Sequence, residues 1–86
     1  MDPLDRLAQA LDVEATTSTE TAAILTVARD VAHRLERRIT PVSTYLLGLS
    51  VAERVAAGAT RGDAFTAAIA DLRSAMPPEQ PDRPEG

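Results

Sequence analysis

Cysteine, lysine and tryptophan are all absent from this 86-residue chain, and tyrosine and phenylalanine occur once each. Without cysteine there are no disulfides, no thiolate nucleophile and no cysteine-based zinc or iron–sulfur site. The same absence suits a reducing cytosol. Without lysine there is no Schiff-base or lysine general-base chemistry, and all nine basic side chains are arginine. So few aromatic rings, with a net charge of −4, argue against sequence-independent nucleic-acid binding, which needs a basic footprint or stacking platforms. No apolar run approaches the ~20 residues of a membrane span. The acidic opening "MDPLDRLAQALDV" is not a signal peptide. The expectation is a cytoplasmic protein that binds neither nucleic acid nor membrane.

What is present is helical periodicity, with no strand alternation and no internal repeat. Asp2 before Pro3 makes a helix start, with an acceptor at the cap and proline at the first position. Leu4, Leu7, Ala8 and Leu11 then form one apolar stripe. Thr17 and Glu20 have capping-box spacing and open a second helix. Its expected buried stripe is Ile24, Leu25, Ala28, Val31, Ala32 and Leu35, within about 120° of arc. Arg37 and Arg38 are expected to close it, because cations favour the C-terminal end of the dipole. Thr40 before Pro41 is expected to end it and to cap a third helix.

The third helix is apolar nearly all round. Val42, Tyr45, Leu46 and Leu49 fall on one face, while Leu47, Val51 and Val55 fall roughly opposite. Such a helix is either central or shared with a partner, so Tyr45, Leu47, Val51 and Val55 are candidate interface residues of a homodimer. Ser50 with Glu53 offers a second capping-box spacing and hence a restart. Gly58 reads as the stop, and a fourth helix follows from about Asp63 on Phe65, Ala68, Ile69 and Leu72. The tail "PPEQPDRPEG" holds four of the six prolines and no apolar side chain. The reading is all-α: a small four-helix bundle over residues 1–76, with a disordered proline-rich tail over 77–86.

Catalytic chemistry finds little to work with. A Ser–His–Asp arrangement would have to use His33, the only histidine, with Asp30 one turn before it. No serine sits in a strained elbow, and no oxyanion-hole element is visible. One histidine with scattered carboxylates is no metal ligand set, and the glycines form no phosphate-cradling loop. "LGLSVAERV" has a faint likeness to the phosphopantetheine-serine region of carrier proteins, but Leu49 stands where the acid before the serine is expected. Neither catalytic residues nor a cofactor is therefore assigned. The remaining candidate is a polar strip on the second helix. Arg29, His33 and Arg37 follow at intervals of four, and Asp30 lies beside them. Such a strip holds an anion, meets an acidic partner, fixes a neighbouring element in place, or is an ordinary solvated face laced with weak ion pairs.

These polar positions also carry a resemblance. The stretch "ILTVARDVAHRLERRITPVSTYLLGL", residues 24–49, resembles a small actinobacterial domain of unknown function. Its signature is an ARDVAH block, an arginine four residues after the histidine, a proline eight after it, and a following LLG helix. Here these are Ala28 to His33, Arg37, Pro41 and Tyr45 to Gly48. The family's usual early tryptophan is absent, and "SVAERVAAGATRGDA" is longer than the family's glycine-containing link. The resemblance implies a domain found alone or in one chain with a molybdenum-cofactor guanylyltransferase-like nucleotidyltransferase. The functional expectation is a non-catalytic accessory or protein-interaction module, with a nucleotidyltransferase as the implied partner. The alternative is a small phosphate- or nucleotide-binding domain using Arg29, His33 and Arg37.

Overall fold

Three of the four helices begin where a side chain satisfies free N–H groups of the first turn. In the computed structural model, which describes residues 2–78, α1 spans Pro3–Ala10 and the Asp2 carboxylate accepts from the Leu4 N–H at 2.8 Å. For α2 (Ser18–Arg34) the capping box is complete. Thr17 Oγ1 accepts from the Glu20 N–H at 3.1 Å, and Glu20 Oε1 accepts from the Thr17 N–H at 2.9 Å. A short 3-10 turn, Arg37–Ile39, leads into α3 (Thr40–Ala56). For α4 (Arg61–Ala75), Thr60 Oγ1 accepts from the Asp63 N–H at 3.1 Å. No strand occurs among the described residues, so the all-α expectation holds with four helices.

Several boundaries differ from the sequence reading. The second helix stops at Arg34, since Leu35 leaves helical geometry at φ −122° and ψ −104°. Thr40 lies inside α3 and Ile39 occupies the cap position without a side-chain bond. α3 runs unbroken through Ser50, whose hydroxyl accepts from Arg54 Nε at 3.2 Å rather than restarting the helix. α4 begins at Arg61, two residues before the expected Asp63, because Thr60 supplies the cap. The tail expected to be disordered lies outside the described residues from position 79 onward.

Three helices share the core. α3 packs against both α2 and α4. Ion pairs from Glu20 to Arg61 and from Asp30 to Arg73 join α2 and α4 start to start and end to end, so these two run parallel. The core comprises Val27, Val31, Leu47, Val51, Ala64, Ala68 and Met76, with Val27 and Val31 at 0% exposure. The buried face of α2 is therefore rotated from the expected stripe. Val27 joins Val31 inside, while Leu25 is 63% exposed and Leu35 is also exposed. On its other flank α2 meets α4, where Ala23 borders Phe65 and Ile69 and Asp30 pairs with Arg73. Ser43, the buried polar residue, donates to the Thr40 carbonyl at 2.7 Å and so leaves no unpaired hydroxyl.

α1 behaves differently. It buries none of its residues and packs against none of the other helices. It faces the start of α2 only across an open cleft bordered by Leu4, Asp5, Thr21 and Leu25. Its apolar stripe is real but uncovered.

Candidate interaction site

The polar strip of α2 is only partly assembled. Arg29 and His33 are exposed on α2 and, with Thr26, Asp30 and Arg34, line a surface cavity of about 310 Å³. Arg37 is not among them. It lies in the 3-10 turn beyond the end of α2, so the four-residue register that would align it with His33 is lost. Asp30 turns toward the neighbouring helix and forms an ion pair with Arg73 of α4. That hydrogen bond holds the Asp30 carboxyl below its usual range; burial opposes the shift, and the charges of Arg73, Arg34 and Arg29 add to it. Asp30 thus joins α2 to α4, while Arg29 and His33 offer donors to solvent.

A stronger polar centre forms around Arg61, which the sequence reading passed over as part of a turn. Arg61 Nε and Nη2 donate to the two oxygens of Glu20 at 2.8 and 3.0 Å. Nη2 also donates to the Ala15 carbonyl at 3.2 Å, and Nη1 pairs with Glu14 at 2.9 Å. The guanidinium lies 6.0 Å from the Phe65 ring centroid. One side chain at the first turn of α4 therefore binds the first turn of α2 and the link leading back to α1. Glu20 is held below the ordinary carboxylate range chiefly by the Arg61 hydrogen bonds, against a burial effect that would raise it. The Thr60–Asp63 spacing, read as a cap, would have put Arg61 on a helix; its long-range partners leave no local trace.

The interface candidates divide. Leu47 and Val51 point into the chain's own core, so they are unavailable to a partner, which corrects the expectation for those two. Leu47 is one helical turn before Val51, and α2 and α4 close over that side. Tyr45 and Val55 remain exposed, and the open face of α3 also carries Val42, Leu46 and Leu49. Beside this face runs an apolar groove of about 590 Å³ lined by Val13, Gly48, Ala52, Val55 and Phe65 among others. The groove is open at Gly48, where an added Cβ would meet no heavy atom within 4 Å. Among the described residues no group of three or more His, Asp or Glu side chains could hold a metal ion, and no helix is long and apolar enough to cross a membrane.

No curated protein and no solved structure matches this chain. The family comparison is positive over residues 3–82, nearly the whole chain: it belongs to the family described as a domain of unknown function, DUF6457.

Proposed function

We propose that this domain is a non-catalytic interaction module of the cytoplasm, accessory to a nucleotidyltransferase of a molybdopterin-nucleotide pathway. One observation carries the interaction reading: α1 and the outer side of α3 leave large apolar side chains exposed, 42–72% in each case, on two separate helix faces. Scattered single apolar residues are ordinary on a surface, whereas whole helix faces of this kind mark binding surfaces. The partner's identity rests on the likeness of residues 24–49 to a domain that shares a chain with such an enzyme. Titration of the full chain with the guanylyltransferase-like protein of the same cell tests it by calorimetry. Binding that is lost in Leu46→Glu supports the reading, and no heat of binding removes that partner.

A second reading has its own support in the Arg29–His33 cavity. Its donors and open mouth suit a phosphate group better than an apolar one. Titration with inorganic phosphate and with GTP, followed by the NMR signals of Arg29 and His33, tests it directly. Unmoved signals at millimolar ligand end that reading.

A further inference from the structure

Two apolar helix faces of this chain lack a partner, and their side-chain patterns match. Leu4, Leu7, Ala8 and Leu11 lie at i, i+3, i+4 and i+7 on α1 and at its end; Val42, Tyr45, Leu46 and Leu49 repeat that spacing on α3. Each stripe extends over seven residue steps, about 10 Å of helix at 1.5 Å per residue. Both therefore present ridges of one length and one periodicity, the condition for side chains of one helix to fill the gaps of another. Among the exposed residues of α3 the only charged one is Glu53, so this face offers little to a nucleic acid or an anion.

Within one chain the two faces do not meet. The direction of α1 is set by two devices. Asp12, at φ +58°, closes α1 with the Val13 N–H bonded to the Ala8 carbonyl at 3.0 Å and the Asp12 N–H to the Gln9 carbonyl at 3.1 Å. Immediately beyond, Glu14 and the Ala15 carbonyl are bound by Arg61. The link is thus anchored at the first turn of α4, and α1 makes no contact with α3.

We infer that the occupant of both faces is a second copy of this chain: α1 of each protomer lies along the Val42–Leu49 face of the other. Such a two-fold exchange forms two equivalent contacts and covers both exposed stripes at once. Covering both faces on each copy removes seven apolar residues from water, each 42–72% exposed, a surface of the order of the ~800 Å² per partner that a standard stable interface buries. This inference rests on the interaction reading above and specifies one of its partners.

Sedimentation equilibrium of the full chain between 5 and about 300 micromolar, at salt that screens surface charges, is the test. The expected result is a dimer, with its dissociation constant raised at least tenfold by Leu7→Asp and likewise by Leu46→Asp. Both positions are exposed, so circular dichroism should show the helices retained in each variant. Mixing the two variants in equal amounts should restore dimer, because the mixed pair keeps one intact α1–α3 contact. The absence of native cysteine allows a direct check of connectivity. Leu7→Cys combined with Leu46→Cys should oxidise to a disulfide-linked dimer. A monomer throughout the concentration range overturns the inference and leaves the reading of a heterologous partner to its own titration. A Leu7→Asp chain that dimerises as well as the wild type, or an oxidised double-cysteine chain that stays monomeric, also overturns it.

Discussion

Two helix ends are closed by a residue in left-handed geometry, and their chemistry differs. Gly58, at φ +114°, follows α3 with its N–H bonded to the Val55 carbonyl and the Ala59 N–H bonded to the Arg54 carbonyl, each at 3.0 Å. Asp12 makes the same kind of cap on α1 without glycine's freedom. Gly58→Ala is expected to lower stability by about 1–2 kcal/mol, since an L side chain is strained there, read as a fall in the urea midpoint. Asp12→Gly is expected to leave that midpoint nearly unchanged, because α1 adds nothing to the core, but to slow amide exchange over residues 11–13. Arg61 is the residue with the widest reach. Arg61→Ala would leave Glu20, whose side chain is 13% exposed, without its cation and would release the link to α1. A loss of about 2 kcal/mol is expected from chemical denaturation.

At the scale of elements, the faces of α2 separate local pattern from tertiary outcome. Leu25 and Val27 are near neighbours in sequence, and the larger side chain is the exposed one. Val27→Ala is expected to cost about 2 kcal/mol through lost burial and a residual cavity. Leu25→Ala should change stability by less than about 0.5 kcal/mol; comparable losses at both sites would contradict the rotated core. The starts of α1, α2 and α3's glycine stop were readable because their signals are three or four residues long. The end of α2 was not, since Arg37 and Arg38 continue a plausible helix and only the packing of α3 requires the chain to turn after Arg34. The candidate site was legible to the same extent: Arg29 and His33 stay together, while Arg37 is separated by that turn.

At the scale of the whole molecule, a core of seven buried residues is supplemented by two ion pairs that fasten α4 to α2, Glu20–Arg61 and Asp30–Arg73. Both carboxyls lie below their ordinary range in the folded chain. On acidification the unfolded chain takes up these protons first, so the folded state loses stability as pH falls below about 4, and the contribution is complete above that range. Thermal unfolding followed between pH 2.5 and 7 should show the melting point dropping in that window. The Glu20→Gln, Asp30→Asn double variant should be less stable at pH 7 and should show a shallower drop. An unchanged slope would mean that other groups carry the acid sensitivity.

By itself the sequence determined the secondary-structure class, the N-terminal caps of α1 and α2, the glycine stop of α3, and the chemistries closed to a chain without cysteine or lysine. All of these depend on composition or on residues within one turn of each other. Only the tertiary structure decided that Leu47 and Val51 are core, that Asp30 serves α4, that Arg61 binds α2 and its preceding link, and that α1 stands apart. Those outcomes depend on contacts between residues far apart in the chain, up to 46 positions for Arg61 and Ala15. A helical stripe records that a face is apolar; which neighbour covers it is set by how the helices compete for a core too small to cover them all.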